Sequence, residues 1–126
     1  MENSQIATDF TSLTSWQKSR KLVVLVYHLT DSYRDFTLKD QLRRAVVSVM
    51  NNLAEGYSRN SNKDTQHFFN MSMASCCELK SMTYILEDLQ FSDQELILEV
   101  RSKAIEVHKM IRAFIKYLQK KTDEKS

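Results

Sequence analysis

The chain has 126 residues, 42% of them hydrophobic and 27% charged, which fits a single ordinary globular domain. It contains one glycine and no proline, so the many tight turns of a multi-stranded sheet and the glycine-rich loops that cradle phosphates are both excluded. A formal net charge of +2 is too small to argue for nucleic acid by itself, and no apolar run is long enough to span a membrane.

The composition leaves a few long helices joined by short polar links. Residues 1–12 are polar, show no sustained period, and read as a loose arm. Residues 13–121 read as the folded domain and 122–126 as a charged, frayed tail. The N-terminus, Met1-Glu2-Asn3-Ser4-Gln5, has neither the basic start nor the apolar core of a signal peptide. Cys76 and Cys77 are adjacent and read as reduced thiols within a helix, so the chain is expected to be cytoplasmic.

The first helix is predicted from about Ser15, a potential N-cap ahead of Trp16, to Ser32. Leu22, Leu25 and Leu29 form one stripe, yet Leu22-Val23-Val24-Leu25-Val26-Tyr27 is apolar throughout, more than one buried face needs. The second helix is predicted from Thr37 to about Arg59, with Leu42, Val46, Val49, Leu53 and Tyr57 on one face. Gly56 near its end marks close packing or a local bend.

The third helix should start at Ser61, where Ser-x-x-Asp64 resembles a capping box. Its seam is predicted as Phe68, Met71, Ser75, Leu79, Met82, Leu86 and Leu89, with Phe69, Met73, Tyr84 and Ile85 left off the seam. The fourth opens at Ser92-x-x-Glu95 and carries Ile97, Val100, Ala104, Val107, Ile111, Phe114 and Leu118 in 3-4 alternation. Four amphipathic segments with short links predict an all-α, up-down-up-down antiparallel four-helix bundle.

Catalytic and metal chemistry find little support. There is no Glu-x-x-His pair, His28, His67 and His108 fall on three helices, and no nucleophile elbow or P-loop is present. No cofactor, metal or small-molecule substrate is expected. On the second helix Arg44, Ser48, Asn51 and Glu55 lie within about 60° of one another, opposite the apolar face. Arg44 and Glu55 are three turns apart, so each is expected to find a partner on another helix, another subunit, a ligand or water. A solvated face, an inter-subunit network and a ligand site all remain open.

Charge is unevenly spread. Residues 61–100 hold two basic and seven acidic residues, net −5, while residues 101–126 hold eight basic and three acidic, net +5. Arg101, Lys109, Arg112, Lys116 and Lys120 form a row on the fourth helix that could follow phosphates or face acidic surfaces of a neighbouring subunit. The surplus apolar residues of helices one and three point to self-association.

Leu13-x-x-Trp16-Gln17-Lys18, Gln41-Leu42-Arg43-Arg44-Ala45 and Asn52-Leu53-Ala54-Glu55-Gly56-Tyr57, followed by Phe68-Phe69 and Glu78-Leu79, resemble the four-helix-bundle proteins of the 23S rRNA intervening-sequence (S23-like) family. The resemblance covers residues 13–118. It implies a left-handed up-down bundle assembling into a homopentameric ring. It also implies kinship with the accessory variability determinant of diversity-generating retroelements, a basic pentamer that assists a reverse transcriptase. The chain departs from the family pattern at Met50, where a proline is common, and in the link Asp31-Ser32-Tyr33-Arg34-Asp35-Phe36, which lacks the usual proline and glycine.

The expected function is therefore non-enzymatic: an oligomeric scaffold or accessory protein whose partners are its own copies and RNA or a nucleic-acid enzyme. Arg43, Arg44, Asn52, Glu55 and Glu78 are the expected polar framework, and Arg101, Lys109, Arg112, Lys116 and Lys120 the expected phosphate contacts. The alternative is a protein-interaction adaptor that never meets nucleic acid.

Overall fold

With almost no glycine or proline, helix boundaries fall to short polar side chains. A computed structural model, which describes residues 9–91 and 93–125, shows which ones. A 3-10 turn over Phe10–Ser12 leads into α1 (Thr14–Thr30), α2 (Phe36–Tyr57), α3 (Asn62–Asp88) and α4 (Gln94–Lys125), and no strand occurs among the described residues.

Asp9 opens the 3-10 turn by accepting the Thr11 N–H at 2.8 Å. Of the expected loose arm, residues 9–12 are thus ordered, with Phe10 edge-on to Trp16 at 5.2 Å; residues 1–8 lie outside the described residues. Ser15 does not cap α1. The helix begins behind Leu13 without a side-chain cap, and Ser15 is buried at its second position.

At α2 the cap is Asp35, which accepts the Leu38 N–H at 3.1 Å, rather than Thr37. Aspartate outranks threonine at this position, and it stands at the end of the extended link. Ser61 does cap α3, accepting the Asp64 N–H at 3.2 Å. At α4 the Leu96 N–H goes to Asp93 Oδ1 at 3.0 Å; the expected capping serine, Ser92, lies outside the described residues. Rather than ending at Lys121, α4 continues into the charged tail as far as Lys125. Thr122 Oγ1 there accepts from Asn62 Nδ2 at 3.3 Å and donates to the Leu118 carbonyl at 3.0 Å.

α3 ends where a glycine would be expected. Gln90 takes the left-handed conformation at φ 56°, and the Phe91 N–H reaches back to the Leu86 carbonyl at 3.1 Å, closing a Schellman-type turn. Phe91 then meets Tyr33, from the α1–α2 link, edge-on at 5.0 Å.

The four helices surround one apolar core. α1 packs on α2 and α4, and α3 packs on α2 and α4. Leu22 and Val26 of α1, Leu42, Val46, Val49 and Leu53 of α2, and Ile97, Val100, Val107 and Ile111 of α4 are essentially inaccessible. Each of these carries about 1.5–3 kcal/mol of transfer free energy when buried.

The first half of the α3 seam departs from expectation by one residue. Phe69, Ser72 and Cys76 are buried, while Met71 is exposed and Phe68 and Ser75 are half-buried; from Leu79 to Leu86 the expected seam holds. Two 3-4 rows lie side by side here, and polarity alone favoured the wrong one. Ser72 is accommodated because its Oγ donates to the Val49 carbonyl at 2.7 Å.

Phe69 fits because Gly56 leaves room. A Cβ at position 56 would lie 2.8 Å from Phe68 Cβ and 2.9 Å from Phe69 Cδ1. Thr65 Oγ1 also donates to the Gly56 carbonyl at 2.8 Å. Gly56 thus marks close packing rather than a bend, and α2 runs unbroken through both Met50 and Gly56.

Candidate nucleic-acid interface

Two groups of cations bear on the site, those bonded within the fold and those left outward in a row. Arg43 belongs to the first. Its Nε donates to Thr30 Oγ1 at 2.9 Å, its Nη2 to the Tyr27 carbonyl at 3.4 Å, and its guanidinium stacks 4.1 Å over the Tyr27 ring. It therefore joins α2 to α1.

Arg101 repeats the device between α4 and α3. Nε donates to Thr83 Oγ1 at 2.9 Å, Nη2 pairs with Glu87 Oε1 at 2.7 Å, and the guanidinium lies 3.6 Å over Tyr84. Its side chain is only 13% exposed, so Arg101 ties α4 to α3 and is not available to phosphate. The charged row of the sequence includes it by spacing alone, since Thr83 and Glu87 come from a different helix.

Arg44 and Glu55, unlike these two arginines, do not reach across helices. Arg44 Nε pairs with Asp40 Oδ2 and Glu55 Oε1 with Arg59 Nη2, both at 2.7 Å and both one turn away on or just beyond α2. Such exposed i,i+4 pairs contribute about 0.3–0.5 kcal/mol each. The i,i+4 rule applied to Asp40 and Arg59 would have found them.

Asn52 and Ser48, by contrast, do link helices. Asn52 Nδ2 donates to the Ser48 carbonyl and Oγ at 2.9 and 3.0 Å, and Ser48 Oγ shares a 2.8 Å hydrogen bond with Ser75 Oγ of α3. Glu78 is exposed and makes no ion pair among the described residues.

The second group stands along α3 and α4. Lys109, Arg112, Lys116 and Lys120 are all exposed, and among the described residues none has a carboxylate partner. They lie within about 80° on α4, over a length of about 17 Å at 1.5 Å per residue. Lys80 of α3 extends the row. With Cys76, Cys77, Ala104, Ile105, His108, Lys109 and Arg112 it lines a cleft of about 230 Å³.

Partial burial, reinforced by Arg112 and Lys80, pulls His108 below the ordinary imidazole value. Burial first, and the adjacent Cys77 second, push the Cys76 thiol up to about 12, so it is an inert core group. The sequence missed Lys80 and His108 because neither belongs to the α4 row; the signal was Lys80 standing one turn from both cysteines.

Among the described residues, no group of three or more His, Cys, Asp or Glu side chains is placed to hold a metal ion, and no helix is long and apolar enough to cross a membrane.

The fold and its outward cationic row define an all-α, four-helix protein with a positively charged cleft between two helices. The sequence profile of the 23S rRNA-intervening sequence protein matches residues 11–113, and the chain belongs to that family. Among solved structures it is similar to a protein of unknown function from the S23 ribosomal protein family of Bacteroides thetaiotaomicron. The two are 19% identical with a TM-score of 0.76, over 81% of this chain and 98% of that one. At that identity the likeness shows the fold alone. No curated protein matches the chain.

Proposed function

We propose that this protein is a non-enzymatic, cytoplasmic RNA-binding or nucleic-acid-enzyme accessory scaffold, built as an up-down-up-down bundle and working as a homopentameric ring. The observation that carries the reading is the alignment of five outward cations along α3 and α4. Lys18, Arg44, Arg59 and Arg101 each have a carboxylate partner, whereas Lys80, Lys109, Arg112, Lys116 and Lys120 are aligned outward with none among the described residues. Such a row suits a phosphate backbone, each contact releasing a counterion.

The up-down order is supported by cross-helix contacts at opposite ends: Asn62 of early α3 meets Thr122 of late α4, and Glu87 of late α3 meets Arg101 of early α4. Self-association is supported by Val24 and Tyr27 on α1 and by Tyr84, Ile85, Leu89 and Leu98 around the α3–α4 link, all more than 40% exposed.

The test is RNA binding by purified protein, with native mass recorded on the same sample. Lys109→Glu/Arg112→Glu/Lys116→Glu should keep the helical spectrum and lose binding; retained binding removes the row from the account. The same apolar surface favours the second reading, an adaptor for another protein. Its binding would respond little to salt, and it would be the surviving account of a folded oligomer that ignores RNA.

A further inference from the structure

Within the cationic row, the cleft between α3 and α4 differs from the rest in shape and in the number of directions from which charge arrives. Lys80 approaches from α3, and Lys109 and Arg112, one turn apart, approach from α4. The floor is apolar: Cys76 and Ala104 are each 1% exposed, and Ile105 completes it. Among the described residues, no Asp or Glu lines the cleft. Three positive charges therefore share a recess in which no carboxylate among the described residues relieves their repulsion.

We propose that this cleft seats a terminal phosphate, a phosphomonoester carried either by the end of an RNA strand or by a free nucleotide. In its RNA form the proposal rests on the nucleic-acid reading above.

Charge favours this ligand over an internal phosphodiester. A phosphomonoester carries about −1.5 to −2 at pH 7 and offers three strong acceptor oxygens, while an internal linkage carries a single negative charge. The donors match that demand: two ammonium groups with three N–H each, and a guanidinium whose planar fork suits bidentate phosphate contact.

Size points the same way. At about 230 Å³ the cleft falls below the roughly 300–1,000 Å³ of drug-sized ligand sites, so it admits a small end group rather than a stretch of polymer. A strand anchored there by its end would run on along Lys116 and Lys120.

His108 senses the same field. The groups facing it are Lys80, Cys76 and Cys77 from α3 and Lys109 and Arg112 from its own helix, and the positive charge of Arg112 and Lys80 helps hold it neutral. A bound dianion would offset most of that positive charge at the imidazole.

Cys77 supplies a built-in reporter, being exposed and lining the cleft while Cys76 is buried. The experiment compares one 12-nucleotide RNA bearing a 5′-phosphate or a 5′-hydroxyl, with adenosine 5′-monophosphate as the free-nucleotide arm. Iodoacetamide alkylation of Cys77 is followed in parallel. The phosphorylated RNA should bind at least tenfold more tightly and slow alkylation, and both effects should vanish in Lys80→Ala and Arg112→Ala at unchanged helicity.

Protection of Cys77 by the nucleotide without any RNA preference would support the site and identify its source as a free nucleotide. Equal binding of both RNAs, with Cys77 unprotected by any arm, would overturn the terminal-phosphate site and leave RNA binding standing. No RNA binding and no protection by the nucleotide would overturn both.

Discussion

Gly56→Ala sets two effects of known sign against each other. On an unencumbered helix turn the change stabilises by about 1 kcal/mol, because alanine is the best helix former and glycine among the worst. Here the added methyl would stand 2.8 Å from Phe68 Cβ and 2.9 Å from Phe69 Cδ1. Phe68 Cβ is fixed to the α3 backbone, and the Phe69 ring is fully buried against Phe114, 5.5 Å between centroids. Neither can swing away, so α3 must move off α2, stretching the 2.8 Å Thr65–Gly56 hydrogen bond.

Overpacking of this kind costs about 1–3 kcal/mol. After the propensity gain is subtracted, a net loss of about 0–2 kcal/mol remains, or roughly 4 °C in melting temperature per kcal/mol for a chain of this size. Urea unfolding monitored by far-ultraviolet circular dichroism reads the sign directly. A midpoint that rises in Gly56→Ala would mean the close approach of α2 and α3 is not real.

Gln90→Gly should stabilise by about 1 kcal/mol, since a left-handed backbone costs a side-chain-bearing residue about 1–2 kcal/mol; the same unfolding assay would show an unchanged or lower midpoint if the Schellman turn were wrong. Tyr33 is buried with its hydroxyl lacking a partner among the described residues, and burial, with Asp93 second, pushes that hydroxyl up to about 12. Tyr33→Phe keeps the Phe91 edge contact and sheds the unsatisfied group, so stability should hold or rise by up to about 1 kcal/mol; a loss beyond 1 kcal/mol would mean the hydroxyl is bonded. His108 is depressed in the folded protein, so the unfolded chain binds the extra proton first and folding stability declines as pH falls through and below about 6.5. His108→Gln should flatten that part of a melting-temperature profile, and an unaltered profile would place the acid sensitivity elsewhere.

α2 and α4 were legible because each presents one uninterrupted apolar row, with Leu42, Val46, Val49 and Leu53, or Ile97, Val100, Val107 and Ile111, all buried. α3 was half legible. Its first half buries Ser72 and Cys76 beside Phe69, and only the Val49 carbonyl and the missing Cβ of Gly56, both on another helix, make that row the inner one. The site divided the same way. Lys109, Arg112, Lys116 and Lys120 followed from spacing, while Arg101 was withdrawn from them by Thr83, Glu87 and Tyr84. Lys80 and His108 joined through a helix pairing that no single-helix periodicity contains. The partners of Arg44 and Glu55 were available locally, at i−4 and i+4.

The salt dependence of RNA affinity decides whether the outward cations do what is proposed for them. With up to five phosphates neutralised by Lys80, Lys109, Arg112, Lys116 and Lys120, log affinity for single-stranded RNA should fall against log salt with a slope of about −2 to −3.5, a loss of roughly 20- to 100-fold between 50 and 200 mM. Lys116→Ala/Lys120→Ala should reduce that slope by about 1.4. A flat response, or no binding at 50 mM by a folded protein, would contradict the RNA reading and leave the apolar surface of α1 and the α3–α4 link as the working face.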